Sequence, residues 1–344
     1  MKNVVICQPR LDIPFKKEVI SGNVSEILKY RYKITNKTKS YWGDFSQERF
    51  KYHKNLDDNV KILEAPMWQI TIDLLRKVIK TFNFDLVYIP HHSKFTFDKF
   101  NELETDPLLQ NIKIKYYMQM SLPWLFQVDE KGWCAGASNW PILPNGNDSK
   151  EILLKLKERQ NLGKSKFQQP DLLNKFNSHH CFRKDFVLFA CQIPHDQTIK
   201  HHSKISVIEA LKRTIIWCKK NNLNLIIKSH PENLVSMEPL YEIFKKYNYG
   251  VWVNNMNINF LLKKCITLFC VNSGVGMEAI IHEKPVFCFG DADYASVSHK
   301  ITTYNTIDEA WKIKDRFIQK YPSFINSYYK NMVQVRQLSE INEI

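Results

Sequence analysis

The chain has no apolar stretch long enough to cross a bilayer. Its longest apolar runs, such as Phe186–Cys191 and Cys265–Val271, fall far short of the roughly 20 residues that a membrane-spanning helix needs. None of the eight cysteines forms a Cys-x-x-Cys pair, so the usual spacing of a zinc site or a dithiol redox centre is missing. Cys265, Cys270 and Cys288 lie inside apolar, strand-like runs, where cysteine behaves as a small hydrophobe. They are expected to be reduced core thiols of a cytoplasmic protein. There is no signal-peptide architecture either, because Met1–Cys7 runs straight into a short strand. Internal repeats and low-complexity blocks are also missing. The net charge of +14 is not gathered into long basic runs, an arginine-rich helix, a zinc finger or an RNA-binding motif, which argues against nucleic acid as a partner. The basic excess leaves an acidic small-molecule substrate, an anionic surface, or a protein that is merely basic. At the inner leaflet of a membrane each Lys or Arg near the surface adds about 1 kcal/mol of attraction.

What is present suits a globular enzyme of two domains. A chain of 344 residues, 44% hydrophobic and 24% charged, accommodates two cores of about 150–170 residues each. The first half reads as strand Val4–Gln8, an irregular polar stretch to about Asp58, and a helix. That helix opens near Pro66 and carries an apolar stripe of Ile70, Leu74, Leu75, Val78 and Ile79. Strands then follow at Asp85–Pro90, Lys113–Met118 and Trp124–Val128, the last ending in the turn Asp129–Gly132. Glu151–Leu162 reads as a helix. The polar stretch Gly163–His180 is the expected boundary, giving domains 1–175 and 176–320 with a helical tail, 321–344, that packs back on the first.

The second half alternates more cleanly. Near-continuous apolar strands at Phe186–Gln192, Leu223–Lys228, Gly250–Val253, Cys265–Val271 and Pro285–Phe289 are separated by helices at Ser203–Lys220, Met237–Tyr247, Ile258–Lys264 and Val275–His282. That pattern predicts a parallel sheet covered on both faces. Such sheets bind ligands at the carboxyl ends of their strands. Three of those ends are chemically loaded: Ile193-Pro194-His195-Asp196, Lys228-Ser229-His230-Pro231, and Asn272-Ser273-Gly274-Val275-Gly276-Met277-Glu278. Gly274 and Gly276 would let the backbone approach a phosphate closely. Ser273 would cap the following helix and offer a hydroxyl, and Glu278 would accept hydrogen bonds from a ribose. Lys228 and His230, two residues apart on a strand, project the same way. Together they could bind or protonate a leaving phosphate, with Pro231 holding the turn. Asp196 could act as nucleophile or base, or merely cap a helix.

These segments resemble the β-Kdo transferases of bacterial capsule polysaccharide synthesis, enzymes that use CMP-Kdo. The similarity runs through Gln192–Asp196, Lys228–Pro231, Asn272–Ala279, Lys284–Val286 and Gly290–Tyr294, with a fainter echo from Ser121 to Trp133. The resemblance implies an α/β GT-B fold, two Rossmann-like domains facing a cleft, with the donor nucleotide on the C-terminal one. It implies a metal-independent reaction with no cofactor, and transfer from a CMP-activated acidic sugar to a glycan or lipid-linked acceptor. Asp196 would form a glycosyl-enzyme adduct, so that transfer retains anomeric configuration. His230 would help CMP leave, while Gln192, Lys228, Pro231, Asn272, Ser273, Gly274, Gly276 and Glu278 would hold the nucleotide. Bacterial sialyltransferases share the same His-Pro and Ser-turn logic, so another CMP-sugar such as CMP-sialic acid is the alternative donor. A non-catalytic GT-B scaffold subunit is the alternative of a different kind.

Other motifs carry less. Asp291-Ala292-Asp293 imitates a metal-binding Asp-x-Asp but follows a strand of the nucleotide domain, where a loop role is expected. His91-His92, His179-His180 and His201-His202 lack the accompanying ligands of a metal site. His91 and His92 end a strand of the first domain and are candidates for facing the acceptor.

Overall fold

The structure, a computed structural model, describes residues 3–7, 18–19, 60–64, 72–82, 85–90, 105–122, 125–165, 185–231, 237–254 and 256–334. It divides into two compact units. One runs to Trp140 and takes back a strand from the far end of the chain; the other spans Pro141–Lys330.

The first unit is built on β1 (Asn3–Cys7), β2 (Glu18–Val19), β3 (Val60–Glu64), β4 (Leu86–Pro90), β5 (Lys113–Gln119) and β6 (Leu125–Asp129). With β13 (Val333–Gln334) they form a seven-stranded sheet in the order β13-β6-β5-β4-β1-β3-β2. The centre, β3-β1-β4-β5, is parallel. The outer strands β6, β13 and β2 are antiparallel to their neighbours. The connection from β5 to β6 is too short for a crossover helix, so those strands form a hairpin. Helix α1 (Ile72–Phe82) buries Ile72 and Leu75, one turn apart on a single face. At the end of β6 the buried carboxylate of Asp129 accepts from the N–H groups of Lys131, Gly132 and Ser138 at 2.7–3.1 Å, which fixes the expected turn. Strand β3 was not expected. Its sequence Val-Lys-Ile-Leu-Glu alternates poorly, and pairing with β1 on one side and β2 on the other defines it.

The second unit contains α2 (Glu151–Asn161), β7 (Phe186–Ala190), α3 (Gln197–His202), α4 (Val207–Lys220), β8 (Asn224–Lys228), α5 (Glu238–Tyr247), β9 (Val251–Val253), α6 (Ile258–Lys264), β10 (Thr267–Cys270), α7 (Val275–Ile281), β11 (Val286–Cys288), β12 (His299–Lys300), α8 (Tyr304–Lys312) and α9 (Tyr321–Lys330). Six strands lie in the order β12-β11-β10-β7-β8-β9, and every neighbouring pair is parallel. The chain starts at β7, winds outward through β8 and β9, then returns to the other side of β7 as β10. The order therefore reverses between β7 and β10. Buried rings fill the helix–sheet layers: Phe269 stacks on Phe287 at 4.6 Å, and Trp217 meets Trp311 edge-on at 5.0 Å. Burying each such aromatic contributes about 1.5–3 kcal/mol. The helix expected over 203–220 begins four residues later, and a separate short helix, α3, lies just before that range. Ser203 bonds locally to the backbone of Ile205, and Ser206 caps α4 by accepting from the Glu209 N–H at 3.2 Å, so the helix restarts at Val207.

The expected division at 175/176 moves to 140/141, because α2 is a helix of the second unit. Leu153 and Leu156 are buried there. Asn326 of α9 donates to the carbonyls of Asn147 and Ser149 at 2.7 and 2.9 Å. Helix α9, expected to pack on the first domain, is likewise held in the second unit. Its Tyr321 hydroxyl donates to the Lys284 carbonyl, and its Tyr328 hydroxyl to Asp293. After α9 it is strand β13 that joins the first unit. Among the described residues no helix is long and apolar enough to cross a membrane.

Candidate functional site

Strands β10, β7 and β8 are consecutive in the sheet, with Phe269 paired to Phe189 and Ala190 to Lys228. Neighbouring strands lie about 4.8 Å apart, so the segments leaving their carboxyl ends start side by side. Those segments carry Gln192 and Asp196, then His230, then Asn272 and Ser273. They meet at the reversal of strand order, where open α/β sheets take ligands.

Gln192 staples the reversal together. Its Oε1 accepts from the N–H groups of Val271 and Asn272 at 3.1 and 2.9 Å, and its Nε2 donates to Asn272 Oδ1 at 3.0 Å. Asn272 Nδ2 continues the chain to the Thr198 carbonyl at 2.9 Å. Both amides are buried, and each such bond is worth about 1 kcal/mol net. In this arrangement Gln192 and Asn272 shape the site from beneath.

Asp196 is exposed and caps α3, its Oδ1 accepting from the Thr198 N–H at 2.9 Å and from the Thr198 hydroxyl at 2.5 Å. No described residue engages its Oδ2. His230 is half-buried, and burial pulls its imidazole from the ordinary 6.5 down to about 4. The Asp196 carboxylate opposes that shift, and the Lys228 ammonium adds to it. Asp196 and His230 therefore sense each other across the ends of β7 and β8. Lys228 is buried, with Nζ donating to the carbonyls of Ser229 and Asn254 at 2.9 and 2.8 Å. Burial lowers it to about 8. Pro231 is exposed beside His230.

The turn into α7 departs from expectation in three respects. The cap position belongs to Gly274, while Ser273 Oγ accepts from the Val275 N–H at 3.3 Å. Packing by itself requires Gly276: a Cβ there would lie 2.1 Å from the Tyr294 ring and hydroxyl. Tyr294, wholly buried beneath α7, donates its hydroxyl to the Ser273 carbonyl. Glu278 is buried and accepts from the Ser165 hydroxyl, so its carboxylate already has a protein partner. Tyr294, Thr198 and Asn254 were not singled out beforehand. Tyr294 was visible only as the last residue of a family-like segment, and the other two act through backbone carbonyls or local caps that carry no sequence signal.

The Asp291/Asp293 pair is occupied by protein. Asp291 pairs with Lys300, and Asp293 accepts from Tyr328. Among the described residues no three His, Cys, Asp or Glu side chains gather as metal ligands. His91, His92, His179 and His180 lie outside the described residues.

Among solved structures, the chain is similar to Thermosulfurimonas dismutans KpsC, a β-Kdo 2,7 transferase, at TM-score 0.52 and 13% identity, covering 100% of this chain and 99% of that one. A second structure, the β-Kdo 2,4 transferase of the same organism's KpsC, aligns at TM-score 0.46 and 14% identity over 77% and 83% of the two chains. UDP-GlcNAc 2-epimerase from Neisseria meningitidis aligns at TM-score 0.44 and 14% identity over 100% and 98%. The first comparison shows the fold, that of the GT-B enzymes. No curated protein sequence matches the chain. Residues 149–339 match the family described as capsule polysaccharide biosynthesis protein. That match covers more than half of the chain and takes in the ends of β7, β8 and β10. The chain belongs to the capsule polysaccharide biosynthesis protein family.

Proposed function

We propose that the protein is a metal-independent glycosyltransferase of capsule or lipopolysaccharide synthesis, moving Kdo from CMP-Kdo to a glycan or lipid-linked acceptor. One observation carries the reading. An exposed carboxylate, Asp196, with one oxygen that no described residue engages, lies within electrostatic reach of a neutral imidazole, His230, where the strand order reverses. In this reading Asp196 Oδ2 attacks the anomeric carbon as the bond from that carbon to the CMP phosphate breaks. The departing CMP carries the bonding pair away. His230 offers its N–H to the leaving phosphate and can be protonated as that negative charge arrives. An acceptor hydroxyl then attacks the same carbon, the bond to Asp196 breaks and frees the carboxylate, and the hydroxyl proton passes to solvent, so the configuration is retained. Ser273 and the Gly274 turn lie beside the phosphate. The KpsC structure of the same fold, itself described as a β-Kdo 2,7 transferase, supports Kdo as the sugar. The net charge of +14 suits a cytoplasmic enzyme working against an anionic inner leaflet.

Thermal-shift titration with CMP, UMP, UDP and GDP tests the donor class. CMP at about 100 times its Kd should stabilise the protein by about 2.7 kcal/mol, and the other nucleotides should do much less. Stabilisation by UDP and none by CMP would overturn the reading. Mass spectrometry after incubation with CMP-Kdo should then find a Kdo-sized adduct on Asp196.

A further inference from the structure

We propose that Lys228 is a positioning residue for His230 and not a ligand of the donor. Its ammonium clamps the ends of β8 and β9 together and fixes the peptide that carries His230. The proposal rests on the reading of His230 as the group that acts on the leaving phosphate.

The geometry is specific. Lys228 is 4% exposed, and its Nζ donates to the Ser229 carbonyl at 2.9 Å and the Asn254 carbonyl at 2.8 Å. The Ser229 carbonyl belongs to the peptide bond that leads into His230. Holding that oxygen fixes the plane of the peptide, and with it the direction in which His230 leaves the strand. From the other side the Ser229 N–H donates to the Val253 carbonyl at 3.0 Å. The loop beyond β9 is thus sewn to the tip of β8 by one side chain. Two of the three ammonium protons are committed to backbone oxygens, and the side chain has almost no surface to offer a ligand.

The clamp also sets the charge beside the ring. Among the described residues, the charged groups that act on His230 are Asp196, from the loop after β7, and Lys228, from β8 itself. Towards α5 it is the backbone N–H of His230 that meets the sulfur of Met237, at 3.4 Å, an uncharged neighbour of the peptide. A fixed cation next to the imidazole opposes its protonation. Burial is the larger influence and the cation adds to it, so His230 rests as a neutral N–H donor until phosphate charge enters the site. The cation that meets the donor's carboxylate must then come from elsewhere.

The test follows histidine ring signals by NMR in protein carrying ¹³C-labelled histidine, with His230 assigned by its loss in His230→Gln. Removing the ammonium in Lys228→Met should raise the His230 midpoint by about half a unit or more. Lys228→Gln, which keeps a donor for one carbonyl but no charge, should raise it similarly while retaining more of kcat than Lys228→Met. In both variants KM for the CMP-sugar should stay within about threefold of the parent, because uniform binding is untouched. An unchanged His230 midpoint, or a KM raised about tenfold with kcat intact, would overturn the proposal and make Lys228 a donor ligand. Should neither variant fold, the parent protein decides: a His230 midpoint at the ordinary 6.5 refutes the clamp. If CMP gives no thermal stabilisation, the functional reading fails, while the midpoints still judge the clamp.

Discussion

Replacing Gly276 by alanine separates two roles for one glycine. If Gly276 exists to bring the backbone near a phosphate, Gly276→Ala should weaken nucleotide binding and leave the fold alone. The packing predicts the opposite. The new methyl would sit 2.1 Å from the ring and hydroxyl of Tyr294 and 2.5 Å from a further ring carbon, inside any allowed contact. Tyr294 is fully buried and tied by its hydroxyl to Ser273, so it has nowhere to retreat. Overpacking of this kind costs about 1–3 kcal/mol, and a clash with a rigid aromatic belongs at the upper end. A melting temperature lowered by roughly 5–10 °C should follow at about 2–4 °C per kcal/mol. The decisive comparison is a cycle with Tyr294→Leu, which shortens the side chain beneath the helix. Tyr294→Leu alone should destabilise by about 2–4 kcal/mol. Together the two changes should cost less than their sum, with a coupling of about 1–3 kcal/mol. Urea unfolding of the four proteins measures this. Strict additivity, or a Gly276→Ala protein as stable as its parent that no longer binds CMP, would refute the packing argument.

Asp196→Asn should abolish sugar transfer yet keep the cap on α3, whereas Asp196→Ala should lose transfer and about 1 kcal/mol of stability besides; comparing their unfolding midpoints and turnover checks both. Gln192→Leu strands the N–H groups of Val271 and Asn272 and should cost about 2–6 kcal/mol, at 1–3 per buried unsatisfied group, read by urea denaturation. Burial holds His230 and His202 at about 4 and His282 at about 3, all below the ordinary 6.5. The unfolded chain therefore takes up protons that the folded one refuses. This contribution to stability is complete above about pH 6.5 and is lost as the pH falls from there towards 4. Calorimetry at pH 7 and pH 5 should show the melting temperature falling, and His282→Asn should fall less.

Much of the second unit was legible because its strands are buried on both faces and so read as continuous apolar runs. Phe186–Ala190, Asn224–Lys228 and Thr267–Cys270 fall inside the expected strands, and Ile258–Lys264 is the expected helix residue for residue. β3 escaped because Val-Lys-Ile-Leu-Glu is defined by its partners and not by its own pattern. The domain boundary was misplaced because polarity marked Gly163–His180, while the contacts that assign α2 are made by residues far along the chain. At the site, the residue types and their convergence were readable and their partners were not. Whether Lys228 faces a ligand or a carbonyl depends on a loop 26 residues away. Nothing local to Gly276 announces the tyrosine beneath it.

The Gln192 staple has a consequence for how the protein folds. β7, β8 and β9 follow one another along the chain, but the bonds from Gln192 to Val271 and Asn272 span 79 and 80 residues. Closing so long a loop is entropically slow, and contacts of high sequence separation are gained late. The seam where the strand order reverses should therefore be the last part of the sheet to zip. In pulse-labelling hydrogen exchange, the Val271 and Asn272 amides should gain protection after those of β7 and β8. A nascent or truncated chain that stops before β10 can have its first three strands in place and still own no site.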